Sequence, residues 1–153
     1  MVDIFKVIGI GLIVAAATLC GNTMAIRLQK RAAALSQMQQ FCAEVGEKIR
    51  FFATPVEQII KECTPKYNEL LFLAEFPKIT PQYPFDKNDA AEVGQFFAGL
   101  GASDICGQQK HCEAYSLLFG RMAEAAKEEC SSKNRLYRVL GLFCGVCIAV
   151  LLI

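Results

Sequence analysis

Residues 28–52 read LQKRAAALSQMQQFCAEVGEKIRFF, and this stretch decides the fold. Leu28, Leu35, Cys42 and Ile49 recur every seven residues, interleaved with Met38, Val45 and Phe52. Alternating steps of three and four put all of these side chains on one face of an α-helix, because about 3.6 residues complete a turn. Such a stripe is stable only when it is buried against other apolar surface. The segment therefore predicts a long helix that buries one face in a helical bundle.

Toward the N-terminus no breaker separates this helix from an apolar run. Val7 to Ile26 reads VIGIGLIVAAATLCGNTMAI, with no charge between Lys6 and Arg27. A membrane-crossing helix needs about 20 mostly apolar residues, so residues 4–26 are expected to form a transmembrane helix that continues to Phe52. At the other end Val139 to Ile153 reads VLGLFCGVCIAVLLI. This run is short, but Arg138 can snorkel to the headgroups, which allows a second span over residues 136–153.

Arg27, Lys30 and Arg31 follow the first run, and Lys133, Arg135 and Arg138 precede the second. Basic residues beside short loops are retained on the cytoplasmic side, so residues 27–135 are expected to form a cytoplasmic helical domain. The rival reading of the N-terminus is a cleaved signal peptide. Against it, Asp3 offsets Lys6, and the basic cluster after the run is the wrong way round for export.

The middle reads as helices throughout, which makes the fold class all-α. Thr54-Pro55-Val56-Glu57 is a restart signal, with Thr54 as cap, Pro55 in the first helical position and Glu57 closing a capping box. A short helix to Cys63 follows, with Ile59 and Ile60 inward. Thr64-Pro65 predicts another restart, and a helix carrying Tyr67, Leu70, Leu71, Leu73 and Ala74. Phe76 to Phe85, FPKITPQYPF, is too rich in proline for a regular helix and is the main loop. Asp86 or Asn88 then caps a helix through Val93, Phe96, Phe97 and Leu100, which Gly99 and Gly101 end. Ser103 or Asp104 caps the last helix. Its stripe is Ile105, Cys112, Tyr115, Phe119, Met122 and Ala126, and it is expected to run unbroken into the second apolar run.

Little of this points to catalysis. The chain has a single histidine, His111, and no GxSxG, HExxH or phosphate-loop pattern. Gly99-Leu100-Gly101 follows no strand and reads as a helix terminator. Glu128 and Glu129 read as a solvated face, with pairing to Lys133 four residues on. Of the eight cysteines, Cys20, Cys144 and Cys147 lie in the apolar runs. The remainder fall in the segment assigned to the reducing side, and all read best as small apolar residues. Cys106, His111 and Cys112 could ligate zinc or serve a small redox or sensor protein, but no fourth ligand accompanies them at a convincing spacing. Apart from Asp3 and Lys6 every charged side chain lies between Arg27 and Arg138, and the net charge is +1. No broad basic face for nucleic acid stands out. No cofactor is expected.

One family shares this order of features. The N-terminal run with its arginines leads to Phe51-Phe52-Ala53-Thr54-Pro55. Later come Phe96-Phe97-Ala98-Gly99-Leu100-Gly101-Ala102-Ser103-Asp104, Gln108 and His111. The chain closes with Lys133-Asn134-Arg135-Leu136-Tyr137-Arg138-Val139-Leu140-Gly141. In these motifs the whole chain resembles stage III sporulation protein AB. The resemblance implies a non-enzymatic membrane protein of endospore formers, multi-pass in the mother cell membrane around the forespore. It implies a cytosolic domain similar to the platform protein of type II secretion and type IV pilus machines. The expected partners are the secretion-type ATPase of the same complex, stage III sporulation protein AA, and other membrane subunits of the mother cell–forespore channel.

Carried over by motif, the candidate residues are Leu100, Gly101, Ser103, Asp104, Gln108 and His111. Gly101, Ser103 and Asp104 make the turn and cap of the last helix, while Asp104, Gln108 and His111 are the candidate docking surface. Phe76 to Phe85 departs from the family pattern. A self-associating membrane-shaping protein is a further alternative.

Overall fold

The stripe over residues 28–52 belongs to α1, Val2–Phe52, in the computed structural model. It is followed by α2 (Val56–Cys63), 3-10 turns at Thr64–Lys66 and Leu71–Glu75, α3 (Lys87–Gly99) and α4 (Ile105–Leu152). The structure describes residues 2–52, 55–81 and 83–152, and along the outer stretches of α1 and α4 chiefly the helical backbone. The described residues are helices, turns and loops, with no strand among them.

The chain divides into two compact units. One comprises the outer parts of α1 and α4, up to Gln29 and from Lys127 onward. In it Ala25 is buried, and Lys133 pairs with Glu129 across one helical turn, as the i to i+4 spacing suggests.

Among the described residues no helix is long and apolar enough to cross a membrane. The expected spans 4–26 and 136–153 fall largely on residues whose side chains lie outside the described set, including Cys20, Arg138, Cys144 and Cys147, and so does the flanking Arg135.

The second unit, Lys30–Ala126, holds the core. Leu35, Met38, Phe41, Cys42 and Val45 of α1 have no exposed surface. They meet Val93 and Phe96 of α3, Cys112 and Phe119 of α4, and Ile59, Ile60, Leu70 and Leu73 from the intervening chain in one apolar cluster. Within this unit α1 and α4 run antiparallel. Ser116 donates to the Gln39 carbonyl (3.2 Å), and farther along α1 Gly46 backs onto Cys112.

Phe96 joins these helices. Its ring lies 6.3 Å from Phe41 on α1, and 5.4 and 6.4 Å from Tyr115 and Phe119 on α4. All three contacts are edge-on, the geometry that aligns a ring's positive edge with its neighbour's negative face.

Polar pairs fix the chain between the helices. Asp86 caps α3, accepting from the Asn88 and Asp89 amides (2.9 and 2.8 Å), while Asp89 accepts from the Asp86 amide in return. Asp86 is thus the cap and Asn88 is not. Arg31 of α1 grips the same corner, with Nε 2.6 Å from Asp89 and Nη2 2.9 Å from Asp86. Asp89 is 1% exposed, so its carboxylate depends on that guanidinium. Higher on α1, Glu44 accepts from the Tyr67 hydroxyl (2.9 Å) and from Lys66. Burial alone would raise its carboxyl, but these two hydrogen bonds, together with the charges of Lys66 and Lys48, hold it below the usual glutamate value.

Two expectations for the middle segment are corrected. The N-cap of α2 is Pro55, without a side-chain cap, so Val56 and not Pro55 opens the helix and Glu57 falls one place short of the capping-box position. Thr54 lies outside the described residues. Thr64-Pro65 starts no α-helix. The Thr64 hydroxyl donates back to the Ile60 carbonyl (2.8 Å), closing α2, and two 3-10 turns follow. Tyr67, Leu70 and Leu73 are buried as expected, whereas Leu71 is 77% exposed and Ala74 is also outside. The inward positions sit three apart, which suits a 3-10 turn as well as a helix.

Arg31→Ala leaves Asp89 buried without its cation. It should lower stability by about 3 kcal/mol, read by chemical unfolding of the full chain in detergent.

Candidate functional site

The block that carries the family motif folds as the corner between α3 and α4. The end of α3 leaves carbonyls without partners inside the helix, as every helix C-terminus does. Leu100 N–H turns back to Phe97 O (3.3 Å) in a 3-10 closure and so does not serve Phe96 O. His111, two turns into α4, supplies the missing donor. Its Nε2 lies 3.0 Å from Phe96 O, and because a carbonyl only accepts, that nitrogen carries the hydrogen. The imidazole lies flat on the Phe96 ring, 5.4 Å between centroids and 9° between planes.

Gly99 makes room for this arrangement. A Cβ on it would come within 2.5 Å of His111 Cε1. Gly101 has φ +88°, the left-handed region that favours glycine, and reverses the chain.

Gln108 fills the inside of the corner. Its Oε1 accepts from Gly101 N–H (2.9 Å), and its Nε2 donates to Gly99 O (3.3 Å) and Ser103 Oγ (3.2 Å). At 4% exposure it is one of the few buried polar side chains in the core. Asp104 caps α4 by accepting from Gly107 N–H (3.0 Å), so of the two proposed caps Asp104 serves and Ser103 is engaged by Gln108.

This corrects the expectation of one polar docking face. Asp104 is exposed, His111 is half-buried against α3, and Gln108 is off the surface altogether. Leu100 is half-buried and packs against the core. The spacing of the motif is that of a corner lock. Sequence reasoning missed the Gly99–His111 fit, because nothing local reveals that a side chain twelve positions on covers a glycine.

The thiol reading fares differently from each residue's geometry. Cys112 faces α1 beside Gly46, and burial pushes its thiol up to about 11. His111 faces α3, and Cys106 is exposed. The three do not converge, and among the described residues no cluster of His, Cys, Asp or Glu is arranged to hold a metal ion. Cys42 and Cys63 are also buried, with thiols raised chiefly by desolvation, which disfavours the reactive thiolate.

Fold and site together define an all-helical protein whose motif residues build a helix corner. A family model described as stage III sporulation protein AB matches residues 6–76 and 69–153, and the chain belongs to that family. The family is a sporulation one, with no enzymatic activity in its description. No curated protein and no solved structure matches the chain.

Gly99→Ala should cost about 1–3 kcal/mol through overpacking against the imidazole. Adding His111→Ala should recover part of that loss, so a double-mutant cycle on thermal unfolding should show the two changes to be strongly non-additive.

Proposed function

We propose that this protein is a membrane-anchored, non-enzymatic scaffold subunit of the sporulation channel between mother cell and forespore. Its end segments span the membrane of the mother cell around the forespore, its middle domain is cytoplasmic, and that domain receives the complex's secretion-type ATPase, stage III sporulation protein AA. The observation that carries this reading is the continuity of α1 and α4. Each is a single helix that carries an apolar run of the sequence and also contributes side chains to the core of the Lys30–Ala126 unit, so motion or load at the domain has a helical path to the bilayer. Family membership supports the sporulation setting. The neutral charge balance and the absence of any phosphate-loop or nucleophile motif in the sequence favour protein contact over turnover.

Two measurements test this. Cys106 is exposed in the middle domain. In intact cells a membrane-impermeant maleimide should leave it unlabelled and should label it after permeabilisation; labelling without permeabilisation would reverse the topology. The full chain purified in detergent should co-purify with the partner ATPase and with other channel subunits. Failure of both co-purification and crosslinking would remove the scaffold reading.

A further inference from the structure

We infer that the cleft between Tyr83 and the Leu71–Glu75 turn is a docking site for a basic segment of a partner protein, which places an arginine beside Glu69 and Glu75. The cleft lies wholly within the Lys30–Ala126 unit, so the inference is independent of the proposed spanning of the membrane by the chain ends.

The cleft arises from the way the chain after α2 is held on α1. The Glu69 amide donates to Gln37 Oε1 (3.0 Å), and Leu70 and Leu73 are buried in the core. Side chains three apart share a face in a 3-10 turn, so turning Leu70 and Leu73 inward leaves Leu71 and Glu75 outside. The opposite wall is Pro84, which is buried, and Tyr83, which is exposed with Lys30 Nζ 5.8 Å from its ring centroid. The space between the walls is about 290 Å³. That is at the small end for a ligand pocket, and suits one long side chain better than a whole small molecule.

The lining has an apolar part and an acidic part. Leu71 is 77% exposed and Tyr83 60% exposed, with Phe72 half-buried behind them. Glu69 and Glu75 supply two carboxylates, and among the described residues neither forms an ion pair or a side-chain hydrogen bond. Carboxylates only accept, whereas arginine carries five donors and no acceptor in a plane that fits them. Its stem is apolar and lies along apolar surface while the charged head meets polar partners. Leu71 and Tyr83 serve the stem, and Glu69 and Glu75 serve the head.

Charge selects this occupant over others. Among the described residues Lys30 is the one cation lining the cleft, so two carboxylates against one ammonium leave a net charge of −1. An acidic or phosphate-bearing ligand would be repelled, and an apolar helix would bury the half-buried Glu69 carboxylate without a partner. The place of Lys30 over Tyr83 shows that this ring takes a cation on its face.

The test uses the full chain in a neutral detergent and a dye-labelled, end-blocked peptide of arginines spaced by glycine and serine, followed by fluorescence anisotropy up to millimolar concentration. The same peptide with citrulline for arginine is the uncharged control. The arginine peptide should bind and the citrulline peptide should not. Glu69→Gln together with Glu75→Gln should weaken binding about tenfold, and Lys30→Gln, which removes the like charge, should tighten it about threefold. Glu47→Gln together with Glu113→Gln changes two acids of a different cleft, between α1 and α4, and should leave binding unchanged. If the Glu69 and Glu75 pair of changes disturbs helical circular dichroism, Leu71→Ser at its exposed position takes its place and should also weaken binding.

Absence of binding by the arginine peptide would overturn the docking site, as would equal binding of the citrulline peptide. Equal loss in the two pairs of glutamine variants would overturn it as well, since attraction to acidic surface anywhere on the domain would then account for the binding.

Discussion

The structure depends on Phe96. A single ring on α3 reaches Phe41 of α1 and Phe119 of α4, and its own backbone carbonyl is satisfied from α4 by His111. Without α3 in that place, Phe41 and Phe119 would lose the ring that both of them pack against. An aromatic side chain suits this position because it buries a large apolar area with few rotatable bonds, and its edge-on contacts fix direction as well as proximity. The imidazole stacked on it closes the same junction with a hydrogen bond. Packing and polar satisfaction are thus met at one residue.

The polar contacts then divide into those that fix the fold and those that decorate it. Arg31 with Asp86 and Asp89 belongs to the first group, since Asp89 is fully enclosed and one cation serves both carboxylates. Gln108 belongs there as well, with both ends of its amide committed inside the corner. Lys48 with Glu62 belongs to the second, for solvent screens it and exposed pairs contribute little. The Arg31 pair also gives a residue of the basic cluster after the apolar run a task inside the domain. A cluster read only as a topology signal therefore holds an interhelical contact too.

Much of the architecture was legible in the chain. The seven-residue recurrence from Leu28 to Ile49 specifies a helix and its buried face, and every member from Leu35 to Ile49 is buried. Proline density at residues 76–85 rules out regular structure, and Asp86 before a Val93–Phe96–Phe97 run marks a helix start. These are local signals, because helix periodicity, proline geometry and capping act within a few residues. Thr64-Pro65 shows where local signals mislead. Its hydroxyl serves the helix behind it rather than one ahead, a choice made by how the following residues pack.

By itself, then, the sequence determined the long first and last helices, the inward stripe of α1, the start of α3 and the proline-rich loop, since each follows from chain stiffness and the burial of apolar side chains. Only the tertiary structure decided that Arg31 meets Asp89 across 58 positions, that His111 covers Gly99, and that Gln108 is enclosed rather than displayed. Tertiary structure also brought the Tyr83 ring against Lys30. Those contacts join residues far apart in the chain. No spacing rule encodes them, for they arise only when several stripes compete to be buried and the remaining polar groups must find partners in the space that is left.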